Sequence, residues 1–581
     1  MFLMTRLMVS ERAFLPLFVL VLLASTPATR AEQPQYGGAL IVASGAEPTS
    51  LLPATTTDLE THYVAGQVFN ALVTHDMQLS VVPDLAESWE ISGDGLTYTF
   101  RLVKNATWHD GVPFTSADVK FSIEEILKKY GSVGKTTFKD LETVETPDAY
   151  TAIIKLRKMY PPLLTNLNLF GSGIAPKHLY EGTEIVKNPH NLKPIGTGPF
   201  KFVEWVKGSH IRLEKNPKYF KKGKPFLDGV IFKYIPDGAT RIIALEKGDV
   251  NYIAGKWVEL SDVERLAKNP DIEICYDNPP GQGPPIGFVA INVREPPLSN
   301  VKVRKALAHS VDRQMWVEKA AFGIGKVVSY GCFPSGLAKW KNPKVTEYDY
   351  DPKKANALLD EAGYAKKADG FRFSVRLAYE PARREFVRIA EIMKEEFKEI
   401  GVNLNLLGMD TATLYDTVCM RWDFDLALQT KALGPEPAVG AYIIFHTKGI
   451  QRATFSNNMG YSNPRVDSLF DKTLETVDEQ ERRQYFYEIQ QIISDEVPII
   501  PFREMVQPIA YRKGLVGIPA GPNHSLRERQ ENVWWRTTTA TVTTTTATTT
   551  PEVPLLTTYA SPIIVVVLVV AAVALYAKRR K

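Results

Sequence analysis

The sequence has little cysteine and little net charge, and each shortage excludes a class of protein. Its three cysteines, Cys275, Cys332 and Cys419, are odd in number and widely spaced among 581 residues. That spacing excludes a disulfide framework and a CxxC metal site. The sequence still allows one disulfide bridge if the protein is in an oxidising compartment. The 69 Lys and Arg residues nearly balance the 65 Asp and Glu residues and are interspersed with them. We therefore expect no nucleic-acid groove.

Motifs of common catalytic sites are also missing. The sequence contains no HExxH, no GxSxG and no paired Cys/His spacing, so nothing predicts a metal site, a cofactor or a catalytic nucleophile. The run Gly196-Thr197-Gly198 lacks the further glycine and the following helix of a dinucleotide or phosphate loop. We therefore predict a protein that is not an enzyme. A nickel or haem ligand held by one of the nine scattered histidines stays open.

The N-terminus carries the pattern of an export signal. Arg6 and Arg12 precede an apolar run over 13–24, and Thr29-Arg30-Ala31 places small residues where a signal peptidase requires them. The run has roughly 12 residues, whereas a helix needs roughly 20 to span a bilayer. We predict a signal peptide over 1–31 rather than a membrane anchor.

The C-terminus has a different composition. Residues 536–558 are mostly Thr, a composition that cannot bury enough apolar surface to order itself, and they predict an extended, O-glycosylated stalk. Residues 559–577 are apolar and 578–581 are basic, which predicts a transmembrane helix with a cytoplasmic tail and the folded part outside. A removable sorting tail is the alternative. Sequons at Asn105 and Asn523 are candidates for N-glycosylation.

Strands and helices alternate between these two ends. Every second residue is apolar in 96–102 and again in 371–379, which predicts two strands that each bury one face. After the second strand, a helix with an apolar face over 386–400 ends at Gly401, and the period of two resumes at 402–406. This βαβ pattern predicts a parallel sheet covered by helices, hence an α/β fold. The first half has more strands and turns, and we expect a β-rich insertion there.

Several stretches resemble a known family in the same order. The longest runs from Pro83 to Ser122 and reads PDLAESWEISGDGLTYTFRLVKNATWHDGVPFTSADVKFS. The others, in chain order, are IGTGPFKFVEW, KNPKYF, VRKALAHSVDR, YDPKKANALLDEAGY and VPIIPF. Together they resemble the extracellular solute-binding proteins of family 5, which includes dipeptide-, oligopeptide- and nickel-binding proteins. The resemblance covers essentially the whole folded region.

This resemblance implies a two-lobed, periplasmic-binding-protein-like fold of class II. Lobe I would comprise 36–285, with a β-rich subdomain at about 76–190, and lobe II would comprise 286–498. The segment 499–535 would return to lobe I. Two chain crossings would form a hinge, and a solute in the cleft would stabilise closure by contacting both lobes. The implied partners are a peptide or oligosaccharide and the permease and ATPase of an ABC importer.

Peptide binders of this family pair the α-amino group of the ligand with an aspartate in a loop that follows a lobe II strand. A buried ammonium requires such a carboxylate. Here we predict the strand at 424–428, and the expected aspartate position falls on Leu433 or Gly434. Glu436 is the candidate substitute, and Lys431 is a further candidate contact. Without a substitute, the protein would not select a zwitterionic peptide terminus.

Oligosaccharide binders of the family stack aromatic rings on sugar faces. Trp257 is the candidate platform, with packing in the core as the alternative interpretation. Glu47, in the early loop Gly45-Ala46-Glu47-Pro48, and Tyr461 are further candidate ligand contacts.

We therefore predict the membrane-anchored, extracytoplasmic substrate-binding protein of an ABC importer, with an oligopeptide slightly favoured over an oligosaccharide. The stalk would keep it near the permease and raise its effective concentration there. Export and a C-terminal anchor without a lipobox cysteine are typical of an archaeal cell surface. A surface-layer or adhesion glycoprotein that reuses the fold is the alternative from another class, and an anchored hydrolase is the third.

Overall fold

The computed structural model describes residues 33–536 except for 57, 77–79, 255–256, 278–284, 435, 454–455 and 519–529. The predicted signal peptide, the stalk beyond Arg536, the apolar segment 559–577, the basic tail and the sequon at Asn523 lie outside the described residues. Within the part that is described, no helix is both long enough and apolar enough to cross a membrane.

Twenty strands are described, and most belong to three sheets. In chain order they are β1 (Ala39–Ser44), β2 (Val73–His75), β3 (Val81–Pro83), β4 (Ala86–Ile91), β5 (Thr97–Leu102), β6 (Leu141–Asp148), β7 (Thr151–Leu156), β8 (Phe200–Val206), β9 (His210–Lys215), β10 (Gly229–Tyr234), β11 (Tyr252–Ile253), β12 (Ile272–Asp277), β13 (Ile286–Ile291), β14 (Phe373–Tyr379), β15 (Val402–Gly408), β16 (Leu426–Lys431), β17 (Ile499–Glu504), β18 (Gln507–Arg512), β19 (Leu515–Val516) and β20 (Trp534–Trp535).

The α-helices lie mainly between strands of the two larger sheets. In chain order they are α1 (Leu59–Val68), α2 (Ser116–Phe121), α3 (Lys128–Tyr130), α4 (Ser132–Thr137), α5 (Leu163–Asn166), α6 (Leu169–Ser172), α7 (Lys177–Tyr180), α8 (Gly238–Lys247), α9 (Val263–Ala267), α10 (Val301–His309), α11 (Arg313–Ala320), α12 (Pro352–Glu361), α13 (Arg384–Glu399), α14 (Thr411–Tyr415), α15 (Pro437–Phe445), α16 (Pro464–Thr473) and α17 (Glu479–Glu496).

The largest sheet has seven strands in the order β12-β18-β11-β1-β10-β9-β8. β1 pairs in parallel with β10 and β11, and the other pairs are antiparallel. A separate antiparallel sheet, β4-β5-β7-β6, comes from the same part of the chain. In it, β5 buries Tyr98, Phe100 and Leu102, which confirms the strand predicted over 96–102. We call the part of the protein built on these two sheets the first lobe.

The second large sheet has five strands in the order β15-β14-β16-β13-β17. β14 pairs in parallel with β15 and β16, whereas β13 is antiparallel to β16 and β17. Helix α13 connects β14 to β15, buries Ile389, Met393 and Phe397, and is followed by Gly401 at φ 75°. The predicted βαβ unit is therefore confirmed. We call the part built on this sheet the second lobe.

Both large sheets are buried on both faces. Successive side chains of a strand point to opposite faces. In β1, Val42 packs in one apolar cluster and Ala43 in another, and in β13, Val289 and Ala290 are divided in the same way. Each sheet is thus an inner layer covered on two sides, as expected for sheets with parallel strands.

The chain passes between the two large sheets twice, from β12 to β13 and from β17 to β18. The second crossing consists of Met505 and Val506, and the Met505 N–H donates to the Pro285 carbonyl at 2.8 Å, which ties one crossing to the other. Ile324 of the second lobe packs into the first-lobe cluster that contains Ala43. Two adjacent crossings of this kind are the structural basis of a hinge between domains.

Candidate functional site

Ligands of open α/β sheets bind beyond the carboxyl ends of parallel strands, and each lobe has one such edge. We call the residues that follow β1, β10 and β11 the first wall. We call the residues at and after the carboxyl ends of β14, β15 and β16 the second wall. Both walls are built from short loops between a strand and a helix, so their backbones are fixed by the sheets behind them.

The lobes meet at the loop that follows β16. Burial, and then the Glu436 carboxylate, raise the pKa of the Tyr160 hydroxyl, so this first-lobe side chain faces the second wall. Lys158 Nζ lies 3.4 Å from a Glu475 carboxylate oxygen. The two lobes therefore come close to each other near Glu436 and near Glu475.

Glu47 lies in the first wall, directly after β1. Its carboxylate accepts hydrogen bonds from Trp205 Nε1 at 3.2 Å and from the Gly208 N–H, and Lys207 Nζ lies 3.9 Å away. Lys207 Nζ also lies 3.1 Å above the Trp205 ring. Glu47 thus attaches the β8–β9 hairpin to the loop after β1, while its side chain stays 24% exposed.

Trp257 lies in the same wall, after β11. Its ring packs against Gly45, where an added β-carbon would come within 2.4 Å of the ring. Arg241 stacks on the ring at 5.1 Å and donates to the carbonyls of Ile235 and Trp257 at 2.6 and 3.3 Å. Arg241 therefore joins the loops after β10 and β11. The half-buried Trp257 ring is in contact with Arg241 and with Gly45.

The first wall is acidic. Burial raises the pKa of the Tyr234 hydroxyl at the end of β10, and the carboxylates of Glu47, Glu60 and Asp58 raise it further. Asp58 is the N-cap of α1 and accepts a bond from the Thr61 N–H at 3.2 Å. Three carboxylates therefore lie close enough to Tyr234 to raise the pKa of its hydroxyl.

The second wall contains a pocket between the ends of β14, β15 and β16. Its charged lining residues are Glu380, Arg383 and Lys431. Arg383 Nε donates to Glu380 at 3.1 Å, and the Thr411 hydroxyl donates to the same carboxylate. Lys431, the last residue of β16, is 8% exposed, and burial lowers the pKa of its ammonium.

The residues after β16 mainly contact other residues of the second lobe. Leu433 is fully buried among apolar side chains, and Gly434 has a φ of 75°. Glu436 is the N-cap of α15, accepting from the Ala438 N–H at 3.2 Å, and its carboxylate lies 2.7 Å from Arg482 Nη2. Glu436 is 4% exposed, so the candidate substitute for the missing aspartate already forms a buried ion pair.

Tyr461 is also internal. It is 2% exposed, and its hydroxyl donates to Glu496 at 2.6 Å. Burial, with this bond to Glu496, raises the pKa of the Tyr461 hydroxyl. The structure therefore brings Glu47 with Trp257 to the first wall and Lys431 to the second, and it places Leu433, Glu436 and Tyr461 in the packing of the second lobe.

Sequence reasoning missed Arg383, Gln429 and Thr430, which line the second-wall pocket. It predicted the strand at 424–428, whereas β16 extends from Leu426 to Lys431 because its backbone pairs with β13 along that whole length. The sequence did contain a signal for these residues, because polar side chains follow directly after the apolar part of the strand.

No disulfide joins the three cysteines, all of which are described, and the described ranges contain no cluster of His, Cys, Asp and Glu suited to a metal ion.

Two α/β lobes joined by two chain crossings are the architecture expected for a two-lobed solute-binding protein. Residues 80–451 match the model of the bacterial extracellular solute-binding proteins, family 5 (middle). The chain belongs to this family, and the resemblance seen in its sequence motifs is confirmed.

Relatives support the same assignment over most of the chain. It is 30% identical over 486 residues to the oligopeptide-binding protein AppA of Bacillus subtilis. This alignment covers 81% of this chain and 86% of the relative. It is 28% identical over 490 residues to heme-binding protein A of Haemophilus influenzae, with 78% and 85% covered.

Solved structures are similar to the whole described fold. AppA from Bacillus subtilis in complex with a nonapeptide has a TM-score of 0.70 at 28% identity, covering 87% of this chain and 100% of that chain. DppA from Helicobacter pylori in complex with the peptide STSA has a TM-score of 0.70 at 25% identity, covering 86% and 99%. The predicted two-lobed, periplasmic-binding-protein-like fold is therefore confirmed.

Proposed function

We propose that this protein is the substrate-binding protein of an ABC importer, which captures an oligopeptide or a related solute between the two walls and delivers it to a permease. The observation that carries this proposal is membership of family 5 along a length shared with an oligopeptide-binding protein. Binding requires no bond to be made or broken, and we propose no catalytic role.

The structure supports a closing mechanism. The two crossings are tied together at Met505 and Pro285, so the lobes have a common pivot beside the sheets. A solute that contacts both walls favours the closed arrangement because it has more contacts there than in an open one. Glu47 and Trp257 are the proposed contacts in the first wall, and Lys431 is the proposed contact in the second.

We also propose that the protein acts outside the cell membrane. Residues 1–31 would direct export and 559–577 would anchor the chain, with the Thr-rich segment as a glycosylated stalk of the kind found on archaeal surfaces. Tethering keeps the solute-binding part at a high effective concentration near its permease.

Thermal unfolding of the purified full chain tests the proposal. We would add pools of penta- to nonapeptides or, separately, a series of oligosaccharides. A solute at about 100 times its Kd should stabilise the protein by about 2.7 kcal/mol. We expect stabilisation by peptides alone. Stabilisation by oligosaccharides alone would instead assign the platform role to Trp257, and the absence of both a solute and a co-purifying ATPase would favour a surface protein that reuses the fold.

A further inference from the structure

The two lobes touch at a further place, outside the two walls. We call it the side contact, and it consists of Gly95, Lys158 and Met159 of the first lobe with Glu475 and Val477 of the second. Lys158 Nζ lies 3.4 Å from a Glu475 carboxylate oxygen. A β-carbon added to Gly95 would lie 2.9 Å from Met159 Cγ and 3.2 Å from Val477 Cγ1, so these three residues are packed together. Every atom of the side contact belongs to the protein, so no solute is needed to form it.

The first-lobe half of the side contact belongs to the four-stranded sheet β4-β5-β7-β6. Gly95 lies in the turn between β4 and β5, and Lys158 and Met159 follow β7. Phe100 of β5 packs in the same apolar cluster as Val42 of β1. Because the two sheets of the first lobe share one close-packed core, we expect this half of the side contact to move with the whole first lobe.

The second-lobe half is attached to its own lobe in the same way. Glu475 and Val477 lie between α16 and α17. Phe470 of α16 and Phe486 of α17 pack in one apolar cluster with Phe288 of β13. A rotation of the lobes about the two chain crossings therefore displaces one half of the side contact relative to the other. A gap of about 0.5–1 Å already removes about a quarter to a half of the attraction between two packed atoms, so opening of the lobes breaks the contact.

Charges of the second lobe also act on first-lobe side chains beyond the side contact. Burial raises the pKa of Tyr98 on β5 to about 12, and the Arg482 guanidinium of α17 acts against this increase. Burial lowers the pKa of His75 on β2 to about 4, a decrease that Asp76 opposes and that Lys339 of the second lobe favours. The lobes are therefore close to each other at several positions along this side, and the Lys158–Glu475 pair is one of them.

We propose that the side contact stabilises the closed arrangement of the lobes whether or not a solute is bound, and that it thereby strengthens solute binding. This inference rests on the proposed function and adds a regulator of the same cleft. A contact that exists in the closed arrangement and is broken in the open one shifts the population toward closure. Since a bound solute leaves through an open cleft, the side contact also slows its release.

The first test needs neither a variant nor a solute. A water-soluble carbodiimide joins an amine to a carboxylate that contacts it, and mass spectrometry of the digested full chain identifies the joined residues. The control pair is Lys302 with Glu361, which are 3.1 Å apart within the second lobe and 53% and 59% exposed. Lys158 and Glu475 are 64% and 56% exposed, so the reagent reaches both pairs.

We expect the initial rate of joining Lys158 to Glu475, without added solute, to be about one tenth or more of the rate at the control pair. That ratio corresponds to a closed population of about 10% or more, the upper end of the usual range for a minor conformation. A slower rate would overturn the inference.

The second test measures the affinity of the full chain for pools of penta- to nonapeptides and the rate of their release. Lys158→Glu places two carboxylates opposite each other, and combining it with Glu475→Lys restores an ion pair with the charges exchanged. We expect Lys158→Glu to weaken binding up to about fivefold and to speed release, and the exchange to restore both. Lys302→Glu, the same reversal beside Glu361, should change neither. Unchanged affinity and release in Lys158→Glu would overturn the inference.

The two tests separate the inference from the proposed function. Joining of Lys158 to Glu475 in a chain that binds none of the pools would support the side contact and overturn the proposed peptide function. Binding of the pools by a chain in which these residues are not joined would support peptide binding and overturn the inference.

Discussion

The two candidate walls differ in the charged side chains that were found in them. In the first wall, the carboxylates of Glu47, Asp58 and Glu60 raise the pKa of the Tyr234 hydroxyl. In the second wall, Lys431 and Arg383 share their pocket with one carboxylate. A solute bound to both walls, as proposed above, would therefore meet carboxylates on one side and Lys431 and Arg383 on the other.

The two walls also differ in the partners of a glutamate, Glu47 in the first wall and Glu436 in the second. Each follows a strand that ends at a wall, yet Glu47 bonds to an indole and a backbone N–H at the surface, whereas Glu436 forms an ion pair inside the second lobe. A carboxylate near a strand end is thus informative about ligands only when its own partners are known.

The largest effect is expected from breaking the buried ion pair. Glu436→Gln should lower the free energy of unfolding by about 3–5 kcal/mol, because it leaves Arg482 charged and buried. Equilibrium unfolding in urea measures it. Glu475→Gln is the control: Glu475 is 56% exposed in its pair with Lys158, so its change should stay below about 1 kcal/mol. Equal effects of the two variants would contradict the interior role of Glu436.

The second prediction concerns the aromatic surface of the first wall. Gly45→Ala should destabilise the protein by about 1–3 kcal/mol, because the new methyl group overlaps the Trp257 ring and forces it to move. Gly93→Ala is the control, since an added β-carbon there meets no atom within 4 Å. Urea unfolding of both variants checks the contact. An unchanged Gly45→Ala variant would show that Trp257 is not held against the loop after β1.

The third prediction uses pH to examine the basic wall. Burial lowers the pKa of Lys431 in the folded protein, so the unfolded chain binds more protons between that lowered pKa and about 10.4. The wild type should therefore gain stability relative to Lys431→Met as the pH rises through this window, by at most about 1.4 kcal/mol per pH unit. Urea unfolding of both proteins at a series of pH values measures the difference. A difference that does not change with pH would argue against a buried ammonium.

The smallest effect is expected at the surface carboxylate of the first wall. Glu47→Gln keeps one acceptor oxygen but loses the charge that strengthens the bonds to Trp205 and Gly208, so we expect a loss of about 1 kcal/mol or less. Thermal unfolding beside Glu87→Gln, an exposed site on β4, measures it. A loss as large as that of Glu436→Gln would remove the contrast between the two glutamates.

Elements set by local patterns were predictable from the sequence. Helix α12 begins after Asp351, whose carboxylate accepts from the Lys354 N–H at 2.9 Å, and it buries Ala355 and Leu359. The same holds for the β14–α13–β15 unit, where the period changes from two to that of a helix and back. In these segments the residues that decide the structure are neighbours in sequence.

The site was predictable only in part, because its geometry depends on contacts between distant segments. The end of β16 is set by pairing with β13, and the predicted strand ended three residues too early, before Gln429. The role of Glu436 is decided by Arg482 on another helix, and that of Tyr461 by Glu496. No spacing rule in a single sequence identifies such partners.

The pairing of β16 with β13 has a consequence for any insertion or deletion in this strand. Lys431 lies opposite Ile286 and Gln429 lies opposite Phe288 in a strand whose residues are all buried. Side chains alternate along a strand, so a shift of one residue would move Gln429 and Lys431 to the opposite face of the sheet. The chemistry of the pocket is thus maintained by alignment at the opposite end of the strand, where Ile291 meets Leu426.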